Sequence, residues 1–127
     1  MPRPAVIIIE SSPNEAVLAC AAVALRPEVR VLKAGDLGSA AELLAQGPIA
    51  LAILGSEAIG AADGALLQAF TRGGVPVVGI CADIPEAVRE RALAAGVREL
   101  YERPREWQAY CTLIAALLDR APPTRTG

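Results

Sequence analysis

The sequence has no histidine, a single lysine (Lys33) and four aromatic residues, Phe70, Tyr101, Trp107 and Tyr110. Without histidine there is no Ser-His or Cys-His nucleophile pair, no ordinary zinc ligand set and no phosphohistidine. Lys33 stands within a strand-like run, so no Gly-Lys-Ser/Thr phosphate loop exists. The turn after the first apolar run reads Glu10-Ser11-Ser12-Pro13 rather than G-x-G-x-x-G, which disfavours a dinucleotide enzyme. A flavin protein would want a hydroxyl- and glycine-rich phosphate loop at that turn and aromatics to sandwich its ring, and the chain offers too few. Basic charge is short as well: 12 Lys and Arg against 14 Asp and Glu give a net charge of -2. With a pI of about 5.1, no nucleic acid is expected to bind through this domain. The longest apolar run, Ala16 to Leu25, is ten residues, about half of what spans a bilayer. Five apolar residues between Met1-Pro2-Arg3-Pro4 and Glu10 make no secretory signal. A cytoplasmic protein without membrane contact is the expectation. Cys20, Cys81 and Cys111 are odd in number and far apart, reading as reduced core thiols rather than a disulfide frame.

What is present is aliphatic. Hydrophobic residues make up 54% of 127 residues, a one-domain length able to bury a core without metal or disulfide support. Five β-branched runs alternate with helical stretches: Ala5 to Glu10, Val29 to Lys33, Ile49 to Leu54, Val75 to Ile80 and Val97 to Tyr101. The first, third and fourth are continuously apolar, as a sheet covered on both faces requires, whereas the second alternates and belongs at an edge. Helix starts are marked by Ser12-Pro13-Asn14-Glu15, by Ser39 with Glu42, and by Asp83 with Pro85 and Glu86. Gly47-Pro48, Gly73-Gly74 and Gly96 mark helix ends. The last helix, about 104 to 119, carries a stripe of Trp107, Tyr110, Cys111, Ile114, Leu117 and Leu118 that reads as core. The fold class is therefore α/β: a single doubly wound five-stranded parallel sheet, (βα)5, spanning residues 1–120, with 121–127 a linker or tail. Any site lies at the carboxyl ends of the strands.

At those strand ends the chain resembles the receiver domain of bacterial two-component response regulators, over essentially its full length. Glu10-Ser11-Ser12-Pro13 stands where that family ends its first strand in an acidic pair. Ala61-Ala62-Asp63-Gly64 is similar to the Asp-Gly following the third strand, Val75 to Ala82 resembles the fourth strand, and Arg103-Pro104 takes the place of Lys-Pro. The resemblance implies a flavodoxin-like fold and a phosphorelay role. In that family an aspartate ending the third strand is phosphorylated, with a divalent metal held by it and the acidic pair.

Those groups are missing here. Counting back from Asp63-Gly64 puts the acceptor at Ser56, or at Gly55 or Glu57 if the loop length differs by one, and none is aspartate. The four aspartates, Asp36, Asp63, Asp83 and Asp119, all lie elsewhere. The acidic pair is reduced to Glu10 and Ser11, too little for a hard cation. The switch hydroxyl is replaced by Cys81, a weaker donor, and the aromatic position falls on Leu100 beside Tyr101. Only the basic position keeps its charge, as Arg103. Glu10, Ser11, Ser56, Cys81 and Arg103 thus mark a degenerate site, with no catalytic residue, metal or cofactor expected.

Arg103 and Glu10 read as an ion pair filling this site, or Arg103 as the holder of an anionic ligand or partner carboxylate. Ser56 is a candidate for a serine kinase, Glu57 for a permanent charge, and Cys81 for a redox thiol if Arg103 lowers its pKa. The expectation is a phosphorylation-independent pseudo-receiver that binds a protein partner or itself and regulates an attached or separate effector. By resemblance its contact face is the fourth helix, fifth strand and last helix, including Arg89, Arg91, Arg98, Glu99 and Tyr101. Two alternatives are a sensor holding a small anion with Arg103 and the amides of residues 11–14, and an active receiver with an unconventional acceptor.

Overall fold

The computed structural model describes residues 3–120; the proposed tail at 121–127 lies outside them. The strands are β1 (Ala5–Ile9), β2 (Arg30–Ala34), β3 (Ile49–Leu54), β4 (Val77–Cys81) and β5 (Glu99–Glu102). Between and after them run α1 (Pro13–Ala24), α2 (Leu37–Leu43, continued by a 3-10 turn), α3 (Ser56–Gly60), α4 (Gly64–Arg72), α5 (Glu86–Ala95) and α6 (Trp107–Arg120). The strands form one parallel sheet in the order β2-β1-β3-β4-β5. The uniformly apolar β1 and β4 are buried at every position, and the alternating β2 lies at an edge with Lys33 in water. Pattern and position agree because only an inner strand needs both faces dry.

Strand parity divides the core in two. Val6, Ile8, Leu51, Ile53, Val78 and Ile80 pack against α1 and α6 through Val23, Tyr110, Ile114 and Leu117. Ile7, Ile9, Ala52, Leu54, Val77 and Cys81 face the other helices, with Phe70, Leu67 and Ile59 fully or almost fully buried among them. Gly79 is required on that second face, because a Cβ there would lie 2.7 Å from Ile59 Cδ1 and collide with Leu100 Cδ2. Leu100, at the position the resemblance reserves for an aromatic switch, is thus a packed core side chain.

The element boundaries correct several expectations. β4 and β5 each begin two residues later than predicted. The third helix is broken by a turn at Ala61–Asp63, and Asp63 caps α4 by accepting the Ala65 N–H at 2.7 Å. Ser39 is not a cap: Asp36 accepts its N–H at 2.7 Å, so α2 starts at Leu37 and buries it. Asp83 does not cap α5, because Ile84 precedes Pro85 and is kept out of helical backbone. Ser12 does precede α1 with Pro13 at its first position, but its side chain makes no capping bond. Glu15, the last residue of that helix-start signal, is drawn to Arg103.

Candidate functional site

The carboxyl edge of the sheet brings together five of the residues in question, divided by parity between its two faces. On the α1/α6 side, Glu10, Glu15, Gly55, Arg103 and Tyr110 surround a cavity of about 20 Å³, room for about one water. The Gly55 N–H donates to the Ile9 carbonyl at 2.9 Å, carrying the ladder one residue past β3 and setting Gly55 beside Glu10. A Cβ on Gly55 would overlap the Glu10 carboxylate. The glycine therefore leaves the space that Glu10 fills, and Gly55, not Ser56, is the strand-end residue. Glu10 also accepts the Ser12 N–H at 3.2 Å, so the opening of α1 is served from within.

Arg103 does not pair with Glu10. Its Nη1 donates to Glu15 Oε2 at 2.9 Å, with the two side chains 29% and 36% exposed. The Arg103 N–H meanwhile donates to the Cys81 carbonyl at 2.8 Å, tying the ends of β4 and β5. Tyr110 closes the floor. Burial, aided by the Glu15 charge, pushes its hydroxyl up to about 12. Sequence reasoning missed Glu15 and Tyr110 as site residues. Their signal was the solitary carboxylate of an otherwise apolar helix and a hydroxyl within a buried stripe.

On the opposite side, Ser56 opens α3 in solvent while Cys81 is buried. The Cys81 thiol donates to the Asp83 carbonyl at 3.4 Å. Burial pushes its pKa up, against smaller opposing effects from Ser56 and the Asp83 backbone. Arg103 points to the other face and does not activate it, which removes the premise of a redox thiol. Ser11 donates its hydroxyl to the Glu57 carboxylate, joining the loop after β1 to α3. A groove of about 340 Å³ lies alongside, lined by Gly35, Asp36, Leu37, Glu57, Ala58 and Ala61.

The residues of the predicted contact face make several distinct contacts. Arg120 donates to Glu99 at 2.7 Å and to the Tyr101 hydroxyl, forming one polar group on the α6 side. Arg91, on α5, donates instead to the Gly60 carbonyl at 2.7 Å. Arg89 is half-buried near Cys81, and Arg98 lines a cavity of about 360 Å³ together with Glu99 and Arg120 of that polar group and with Pro76, Val78 and Leu117.

No protein-family model and no curated protein matches the sequence. Solved structures do match. A response regulator from Thermotoga maritima superposes with a TM-score of 0.72 at 14% identity, covering 93% of this chain and 99% of that one. The signal receiver domain of NarL from Mycobacterium tuberculosis gives 0.72 at 21%, covering 94% and 99%. The phosphorylated cyanobacterial phytochrome response regulator RcpA gives 0.73 at 15%, covering 98% of each chain. The chain has the receiver fold.

Within that fold, the divalent metal implied by the resemblance does not fit the residues present. The carboxylates at the edge are all engaged, Glu10 by a backbone N–H, Glu15 by Arg103 and Glu57 by the Ser11 hydroxyl, and Gly55 has no side chain to offer. A hard cation of this kind takes about six or more oxygen ligands and, even where waters supply several of them, needs one or two carboxylates free to turn toward it. Among the described residues, no group of three or more His, Cys, Asp or Glu side chains is placed to hold a metal ion. No helix among them is long and apolar enough to cross a membrane.

Proposed function

We propose that this domain is a phosphorylation-independent pseudo-receiver: a non-catalytic, cytoplasmic signalling module that binds a protein partner or itself and regulates an attached or separate effector. One observation carries the reading. The carboxyl edge, where an open α/β sheet places its ligands, is filled by the chain's own groups, with Glu10 lodged over Gly55 and Arg103 held by Glu15. A phosphoryl acceptor there would need a carboxylate at a position occupied by glycine.

The same geometry weighs against the anion-sensing alternative. Its cation already has a carboxylate partner, and the Ser12 N–H already has an acceptor. An unconventional acceptor finds little help either, since Ser56 is solvent-exposed and lies beside the buried Cys81 thiol, which donates to the Asp83 carbonyl. The test is intact-mass spectrometry after incubation with acetyl phosphate and magnesium. An unchanged mass supports the reading, and a phosphoryl adduct on Ser56 or Glu57 overturns it.

A further inference from the structure

Helix α1 is apolar all round. Within Pro13–Ala24 its only charge is Glu15, in the first turn, and no charge interrupts Ala16 to Leu25. Its inner face is spent on the core through Ala19, Ala22 and Val23. Its outer face nevertheless carries Val17 at 63% exposure, Leu25 at 62% and Leu18 at 37%, with Ala21 and Ala24 exposed between them. A helix apolar on every side is ordinarily covered on every side.

The exposed positions 17, 18, 21, 24 and 25 follow the three-and-four spacing of a helix-on-helix seam. Small side chains at the centre allow two helix axes to approach closely. The stripe is also self-complementary. A two-fold axis at Ala21 sets Val17 against Leu25, Leu18 against Ala24 and Ala21 against itself, so every apolar member meets an apolar partner. The polar groups, Asn14 at one end and Arg26 with Glu28 at the other, fall at the rim, where they stay hydrated. The antiparallel arrangement also opposes the two helix dipoles favourably.

We infer that the outer face of α1 binds a second copy of this chain, in an isologous antiparallel α1–α1 dimer centred on Ala21. The inference deepens the self-association part of the proposed function and moves it away from the polar face of β5 and α6. One helix against one helix covers a few hundred Å² per copy, below the roughly 800 Å² of a standard interface. The dimer is therefore weak and concentration-dependent.

Sedimentation equilibrium of the whole chain, without any phosphoryl donor, tests this. The average mass is expected to rise with concentration from 13.1 kDa toward twice that value. In the double variant Val17→Glu/Leu25→Glu, or in Ala21→Glu, it is expected to stay at the monomer value with the melting temperature nearly unchanged. Leu93→Glu, at another exposed leucine on α5 (42% exposed), is expected to leave the dimer intact. A wild-type mass fixed at the monomer value at all concentrations overturns the inference. So does a dimer that survives the α1 variants. A mass that rises only with magnesium and beryllium fluoride would overturn the inert-edge reading as well, whereas a mass that stays at the monomer value under both conditions overturns the dimer alone, so the two failures are distinguishable.

Discussion

Helix α1 takes part in two regions of opposite character. At its first turn Glu15 grips Arg103, and with Glu10 over Gly55 the carboxyl edge is closed by internal partners. Along its outer flank the same helix leaves Val17, Leu18 and Leu25 in water. The edge has its polar groups paired, so a ligand there must first break existing bonds. The flank has apolar area still exposed, worth about 25 cal/mol for each Å² removed from water. In this receiver fold the unspent free energy lies on a helix surface, away from the strand ends.

The comparison is sharpened most by truncating each region. Tyr110→Ala removes a side chain only 6% exposed beneath the closed edge and is expected to cost about 3–5 kcal/mol in urea unfolding. Val17→Ala on the open flank should change stability by less than about 0.5 kcal/mol. Equal costs would erase the distinction between the regions.

Titration of the Tyr110 hydroxyl addresses the same floor. Its pKa is raised to about 12 by burial and the nearby Glu15 charge, against about 10 in an unfolded chain. The folded state thus prefers the protonated phenol. That stability is fully present below pH 10 and is lost as pH rises from about 10 through about 12. Ultraviolet titration of tyrosine ionisation should show Tyr110 as a late transition, and its absence in Tyr110→Phe secures the assignment.

Restoring an acidic strand end is expected to be harmful. Gly55→Asp must expel the Glu10 carboxylate from its place and set a second negative charge beside it, costing about 1–3 kcal/mol. In a Glu10→Ala background most of that cost should vanish, and a double-mutant cycle measures the coupling. Additive effects would mean that Glu10 does not occupy the space.

Smaller still is the Arg103–Glu15 pair, whose partners keep about a third of their side-chain surface in water. Glu15→Gln should cost about 1 kcal/mol or less in dilute buffer and still less in molar salt.

The fold was legible because it rests on pattern. Continuous apolar runs placed β1, β3 and β4 inside the sheet, and the alternation of β2 placed it at the edge. The site was legible only as a location. Which carboxylate Arg103 takes depends on the face to which each strand end points and on the turn of α1 that approaches it, and neither is written in spacing. The choice between Gly55 and Ser56 turned on a ladder hydrogen bond extending one residue past β3. The partners of the contact-face residues were unreadable for a similar reason, since Arg91 on α5 reaches the Gly60 carbonyl while Glu99 and Tyr101 are held by Arg120 of α6.

The central claim, that the carboxyl edge is closed to metal and phosphoryl groups, is tested most directly by an amide NMR titration with magnesium and then beryllium fluoride. No saturable shifts are predicted at Glu10 to Ser12, Gly55 to Glu57, Cys81 or Arg103. Saturable shifts centred on those residues would contradict the claim, showing that the Glu10 and Arg103 contacts give way to a working site.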